Sequence, residues 1–196
     1  RDRSVSRGLG DVYKRQFSNL FCGKDVTVDT PDSNPGTYNA YTYGGFWCGA
    51  LTLVCDLLKG FLPVFLYIRV SGGTPLGLVL VMSAPALGHI FPIWHKFDGG
   101  KGIAVSFGVL LGLAPNMLPV LTLALTYLLF SLVFKVNPHF YRLILTYSTA
   151  FGIILLTSRS IPVTLGCAAV FVIVLLKIIS VRDTYDKMTV RAAWKR

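Results

Sequence analysis

Charged side chains are scarce in this chain, and their scarcity decides its class. Asp, Glu, Lys and Arg make up only 14% of the 196 residues, while 53% are hydrophobic and mean hydropathy is +0.60. A soluble domain carries about 25% charged residues, so this composition and its long apolar runs predict a polytopic membrane protein instead. The net charge of +10 does not indicate nucleic-acid binding, because the basic residues lie between and beyond apolar runs.

The cysteines lack the spacing of a metal or redox motif. Cys22, Cys48, Cys55 and Cys167 include no Cys-x-x-Cys pair, and three of them lie in apolar surroundings. Such cysteines usually pack as small hydrophobic residues. We therefore favour that interpretation over a metal site or a disulfide, and we expect no metal and no cofactor.

The first sixteen residues lack any pattern that belongs to a folded domain. Arg1–Gly10 is polar and contains no signal peptide, and Asp11–Gln16 resembles the translation of a common transposon-type sequencing adapter. We expect residues 1–16 to be an assembly artefact, with a genuine disordered basic arm as the alternative. Phe17–Cys22 is typical of the end of an apolar helix, so we expect most of a first transmembrane helix to be missing.

Six apolar segments have the character of membrane spans, and they form no internal repeat, low-complexity tract or second domain. The predicted spans are Gly45–Val70, Thr74–Pro92, Ile103–Ala114, Leu118–Phe134, Phe140–Leu156 and Ile161–Val181. A full span needs about 20 apolar residues, and Pro115 and Pro119 separate a short third helix from a full fourth one. The predicted fold is an all-α polytopic membrane helix bundle, one domain over 17–196, with six of an expected seven spans.

Lysine and arginine collect on one side of this predicted topology. That side receives Lys24, Lys96, Lys101, Lys135, Arg142, Arg182, Lys187, Arg191, Lys195 and Arg196. The other side receives only Arg69 and Arg159. Because cytoplasmic loops carry an excess of basic residues, we expect a plasma-membrane protein whose C-terminus and loops around 17–44, 94–101 and 135–139 face the cytoplasm.

One polar, glycine-rich segment lies between two apolar spans. Gly99–Gly102 directly precedes the helix predicted at Ile103, where backbone amides point outward and glycine lets an anion approach. Lys101 adds a mobile cation, so the segment predicts a phosphate site. The spacing of a nucleotide-binding P-loop is absent, and alone such a turn more often only connects two helices.

His89 lies one turn before the end of the preceding span. A histidine there is suited to acid/base chemistry or to donating a hydrogen bond to phosphate. On its own, the residue is more simply interpreted as capping the helix end or bonding a backbone carbonyl.

Two ionisable residues interrupt the first predicted span. Asp56 and Lys59 are three residues apart on one helix face and can pair. Charges within a span are costly and face protein or a water-filled cavity. Two interpretations of this pair remain open: it is a structural pair between helices, or it contributes to the floor of a site.

A second polar cluster occupies Asp32–Asn39. Its Asn-Pro-Gly sequence is a turn signal. The hydroxyl and amide side chains suit a polyol phosphate, whereas a solvated cytoplasmic loop is the alternative.

Together these residues resemble the bacterial acyl-phosphate-dependent glycerol-3-phosphate acyltransferase (PlsY) family over most of residues 18–181. The second family motif is matched by Gly88, His89, Phe91, Pro92, Phe97, Gly99, Gly100, Lys101, Gly102, Ala104 and Gly108. The end of the first family motif is resembled by Asn34, Pro35, Gly36 and Asn39. The second helix of the family is resembled at Asp56, Lys59 and Gly60. The chain departs from the family at Asp32, at Thr42 and in Arg182–Arg196, where the third motif is not recognisable.

The resemblance implies transfer of a fatty acyl group from acyl phosphate to the sn-1 hydroxyl of glycerol 3-phosphate, giving lysophosphatidate and phosphate at the lipid bilayer. The implied site comprises His89 and Lys101 as catalytic residues, Gly99, Gly100, Lys101 and Gly102 at the phosphate, and Ser33, Asn34, Gly36 and Asn39 at the substrate. The departures leave an alternative, a catalytically altered homologue that acts as a lipid- or anion-binding membrane protein or small transporter.

Overall fold

The computed structural model describes residues 37–71, 74–93, 97, 99–180 and 188–191, with only the backbone described at 38, 39, 43 and 44. Its α-helices are α1 Thr37–Val70, α2 Pro75–Ile90, α3 Ile103–Leu111, α4 Leu118–Leu128, α5 His139–Thr157 and α6 Ile161–Ser180. A π-helix, Leu129–Val133, continues α4. Two short strands, β1 Val136–Asn137 and β2 Thr189–Val190, pair antiparallel.

The predicted all-α membrane bundle is confirmed. Among the described residues, three helical segments are long and apolar enough to cross a bilayer, namely Gly45–Val70, His139–Thr157 and Ile161–Ser180. α2 and Leu118–Val133 are shorter apolar helices, so the predicted full length of the fourth span is wrong. The nine residues of α3 are about 14 Å long, roughly half of a 30 Å hydrocarbon core. The division at Pro115 thus produces a half-length helix followed by a longer one.

α1 is bent at its predicted membrane boundary. Gly45 has φ 78° and ψ 178°, values outside the helical range, and glycine alone adopts this region freely. The bend separates Thr37–Gly44 from the apolar segment, so the short helix at the start of α1 begins directly after the Asn34-Pro35-Gly36 sequence.

Three glycines bring α1 and α3 into direct backbone contact. A Cβ atom at Gly60 would collide with the carbonyl oxygen of Val105, and one at Gly108 would collide with that of Leu57. At Gly112 a Cβ would lie 2.8 Å from the carbonyl oxygen of Phe61. Small residues permit such close helix approach in membranes, so these glycines fix the start of α3 beside the middle of α1.

A buried hydrogen bond ties α3 to the opposite side of the bundle. The hydroxyl groups of Ser106 and Tyr147 lie 2.6 Å apart, and the Tyr147 ring packs edge-on against Phe171 with ring centroids 5.0 Å apart. All three side chains are buried. α3 is therefore held by α1, α5 and α6, and its first turn has a fixed position.

Large apolar side chains cover the outer surface of the bundle. The most exposed include Leu76, Leu125, Leu156 and Ile161, with Leu156 87% exposed. An apolar surface of this extent indicates contact with lipid. The polar chemistry is accordingly confined to the interior and to the helix ends.

Candidate active site

The glycine-rich loop lies directly on the end of α2. The amide of Phe97 donates to the carbonyl oxygen of Pro92 at 3.1 Å, and that of Gly99 donates to the carbonyl oxygen of Ile90 at 3.2 Å. Phe97 has a φ of 63°, a left-handed conformation that tightens the reversal of the chain. These contacts return the chain to α2 before α3 begins.

Each glycine of the loop is required by its surroundings. A Cβ at Gly99 would collide with the backbone oxygen of His89, and one at Gly100 would collide with the imidazole Nε2 of the same residue. Gly102 has a φ of 76°, and its Cβ would lie 2.6 Å from Cδ1 of Ile90. We call Gly99–Gly102 the phosphate loop, because its glycines expose backbone next to the first amides of α3, a favourable place for an anion.

Asp56 connects the middle of α1 to the end of α2. Its Oδ1 lies 3.4 Å from Nζ of Lys59 and 3.7 Å from Nδ1 of His89. The Asp56 side chain is 4% exposed, against 12% for His89 and 46% for Lys59. Asp56 and Lys59 pair as their spacing allows, and the additional contact with His89 joins Asp56 to the end of α2.

Lys101 belongs to a basic group formed with the start of α5. The charges of both Arg142 and Lys101 act on the imidazole of His139. Arg142 is held in place, since its Nε donates to the carbonyl oxygen of Val136 and its Nη2 donates to Oδ1 of Asn137, each at 3.0 Å. Within the part of the chain that the structure describes, Asp56 is the one acidic residue against eight Lys and Arg. Although Arg69 and Arg159 lie at the other end, the remaining described charges are still mainly positive, which favours anions at this end.

Lys177 lies near the end of α2 and was not singled out by the sequence interpretation. It lies in the last turn of α6, is 6% exposed, and places Nζ 6.0 Å from the ring centroid of Phe91. Val174, one turn earlier, lies against Gly102. An ionisable residue inside an apolar span was the available signal, the same signal that singled out Asp56.

An apolar groove of about 340 Å³ adjoins the loop. It is lined by Leu87, Gly88, Phe91, Pro92 and Ile93. Gly88 faces open space, and Pro92 also borders Gly99, so the groove and the phosphate loop share a wall.

Part of the predicted site lies outside the described residues. Ser33, Asn34 and Gly36 belong to that part, as does Asp32. Asn39 lies in α1, but its side chain is not described. Among the described residues, no three His, Cys, Asp or Glu side chains form a group that could hold a metal.

The sequence model of the glycerol-3-phosphate acyltransferase family matches residues 16–189. The chain belongs to this family. Related proteins named glycerol-3-phosphate acyltransferase include those of Burkholderia pseudomallei, 34% identical over 142 residues, and Myxococcus xanthus, 37% identical over 153 residues. These alignments cover 72% of this chain and 69% of the first relative, and 78% of both chains for the second.

The fold resembles that of a solved membrane enzyme. The crystal structure of PlsY, an integral membrane glycerol 3-phosphate acyltransferase in its glycerol 3-phosphate form, matches with a TM-score of 0.66 at 20% identity, covering 86% of each chain. A second structure, the lysophosphatidic acid form, matches with a TM-score of 0.63 at 22% identity over 85% of this chain and 84% of that one. The resemblance inferred from the motifs is thus confirmed: the chain is a multi-pass membrane protein of a family of phospholipid-synthesis acyltransferases.

Proposed function

We propose that the protein transfers a fatty acyl group from acyl phosphate to the sn-1 hydroxyl of glycerol 3-phosphate. The products are lysophosphatidate and inorganic phosphate. The observation that carries this proposal is the phosphate loop, fixed against α2 with Lys101 in a basic group, in a family named for this acceptor. Two anionic reactants need such a cationic end of the bundle next to the bilayer.

In this reaction the protein mainly positions the reactants and stabilises charge. The acceptor oxygen forms a bond to the carbonyl carbon of the mixed anhydride, the bond from that carbon to the phosphate oxygen breaks, and phosphate leaves with the electron pair. Because the anhydride is already activated, holding both anions and stabilising the leaving charge supplies much of the rate. Lys101 and the amides of Gly100 and Gly102 hold the phosphate of the donor, while Gly99, whose amide donates to Ile90, shapes the loop. His89 orients a reactant or takes the hydroxyl proton.

The acceptor site is proposed from the residues that precede and begin α1. Ser33, Asn34, Gly36 and Asn39 offer hydroxyl, amide and backbone donors for glycerol 3-phosphate. Thr37, the first residue of α1, follows Gly36 directly in the sequence, and the first amides of a helix suit an anion.

The donor requirement is tested with purified protein and radiolabelled glycerol 3-phosphate. We expect labelled lysophosphatidate with palmitoyl phosphate and none with palmitoyl-CoA. Product from the thioester alone would contradict the proposed donor. Binding of glycerol 3-phosphate without product from either donor would favour the altered, non-enzymatic homologue.

The acyl chain of the donor is proposed to occupy the apolar groove. This groove shares Pro92 with the wall of the phosphate loop, so a donor whose phosphate lies on the loop can extend its chain there without crossing polar surface. Its volume is within the range of small-molecule sites.

Gly88→Leu tests this placement, since a Cβ there meets no atom within 4 Å. The leucine fills the groove, and we expect KM for palmitoyl phosphate to rise about tenfold, the loss of roughly two buried CH₂ contacts. KM for a four-carbon donor should change little. Gly152→Leu is the matched control, because Gly152 in α5 also faces open space away from the groove. Equal effects in the two variants would argue against this site for the chain.

We further propose that the loop end of the bundle faces the cytoplasm, following the excess of basic residues there. Lys135 and Arg159 are both exposed and lie at opposite ends of α5. In intact cells a membrane-impermeant thiol reagent should label Arg159→Cys and leave Lys135→Cys unmodified until the cells are opened. The reverse labelling pattern would invert the orientation.

A further inference from the structure

The imidazole of His89 lies between a buried carboxylate and the phosphate loop. Its Nδ1 is 3.7 Å from Oδ1 of Asp56. Its other nitrogen, Nε2, faces Gly100, where a Cβ atom would collide with it. With only 12% of the His89 side chain exposed, both ring nitrogens face protein.

Asp56 lies at ion-pair rather than hydrogen-bond distance from Nδ1 and favours the observed orientation of the ring. A carboxylate next to one ring nitrogen favours a proton on that nitrogen and holds the ring plane. Asp56 is itself held, since its carboxylate is buried in an apolar helix and also pairs with Lys59 at 3.4 Å. A charge buried in this way is stabilised by fixed partners. His89 is a partner of Asp56 that also contacts the phosphate loop.

The same residue supports the loop through its backbone. Gly99 packs against the carbonyl oxygen of His89, and its amide donates to Ile90, the next residue along the chain. Side chain and main chain of one α2 turn thus define the path of Gly99 and Gly100. Lys101 follows Gly100 directly, so the position of the Lys101 backbone is set by these contacts.

We propose that Asp56 and His89 form a positioning pair that sets the shape of the phosphate loop. Asp56 orients the imidazole of His89, and Gly100 packs against that imidazole. This inference builds on the proposed function and gives His89 the support of the loop in place of proton transfer, so that the hydroxyl proton passes to the leaving phosphate. A proton acceptor needs its nitrogen within hydrogen-bond reach of the hydroxyl, whereas Nε2 of His89 packs against Gly100 and Nδ1 faces Asp56.

A double-mutant cycle tests the contact itself. Gly100→Ala alone forces the methyl group into the imidazole, and we expect kcat/KM to fall about tenfold and Tm to drop. In a His89→Ala background the vacated space accepts the methyl group, so Gly100→Ala should then cost almost nothing. Such non-additivity is the signature of direct coupling.

Gly102→Ala serves as the matched control for this cycle. Its φ of 76° makes alanine unfavourable whatever stands at position 89. Its effect should therefore add to that of His89→Ala. Additive effects for Gly100→Ala as well would overturn the proposal.

The chemical role of His89 is tested by His89→Gln and Asp56→Ala in the full chain. Glutamine fills the space next to Gly100 without acting as a base, so kcat should stay within about tenfold and the pH–rate profile should keep its shape. Loss of a general base costs about 10²–10⁴ in rate, and a loss of that size or a changed profile would overturn the positioning role. Asp56→Ala should act mainly by raising KM for the acyl donor.

Two readouts separate this inference from the proposed function. The Tm values of the Gly100 and His89 variants need no substrate, and ¹⁵N chemical shifts of labelled His89 report which ring nitrogen carries the proton. Coupled Tm values without acyl transfer would refute the function and retain the pair. Acyl transfer with uncoupled Tm values, or with the proton on Nε2 in the wild-type chain, would refute the pair and retain the function.

Discussion

Lys101→Ala is expected to abolish measurable acyl transfer while leaving the helices folded. Lys101 is half-buried just before α3, where under the proposed function its ammonium group and the backbone amides hold the same anion. Removing one donor to a developing negative charge typically costs about 10²–10³ in kcat, and here a full positive charge is lost. The loss should appear in kcat/KM for acyl phosphate, with an unchanged Tm.

Two variants accompany this measurement. Lys101→Arg retains the charge on a larger, planar group, so we expect partial activity. Lys135→Ala removes an exposed lysine after α4 and controls for the overall charge of this end of the bundle. If Lys101→Ala were as active as Lys135→Ala, the loop would not hold the reacting phosphate.

Gly108→Val is expected to cause a large loss of stability. Its Cβ would collide with the carbonyl oxygen and carbon of Leu57, and a backbone obstacle cannot be relieved by a change of rotamer. Overpacking typically costs about 1–3 kcal/mol, occasionally more. We expect this variant to exceed the typical range, because separating α1 from α3 also breaks the contacts of Gly60 and Gly112.

The readout is Tm in detergent together with the yield of monodisperse protein. Gly152→Val is the control, since that glycine faces open space at the same helical conformation. Gly108→Ala carries the same first collision with less bulk and should show an intermediate drop. Wild-type Tm in both Gly108 variants would mean that α1 and α3 are not in close contact.

The helices were predictable because hydropathy and proline are local signals. The sixth span, Ile161–Val181, was predicted to within one residue of α6, and the fourth begins at Leu118 as expected. The third ends at Leu111 rather than Ala114, because the chain turns before the predicted boundary. The bend at Gly45 coincides with a predicted span boundary, where a glycine φ of 78° changes the chain direction.

The site was only partly predictable, since its contacts join distant parts of the chain. Spacing alone indicated the phosphate loop and the pairing of Asp56 with Lys59. Spacing could not show that Asp56 meets His89, because that contact depends on how α1 packs beside α2. The burial of Lys177 likewise results from packing. The roles of His89, Lys101 and the loop glycines stay predictions, as do those of Ser33 and the residues near it.

The half-length of α3 has a consequence for how the protein is made. A nine-residue helix is too short to partition into a bilayer as an independent span. It becomes stable only when α1 offers the glycine-lined surface that accepts it. The phosphate loop, which begins α3, therefore acquires its shape late in biogenesis, after α1 and α2 are inserted. A chain caught earlier during synthesis would already contain every residue of the loop and still have no anion site.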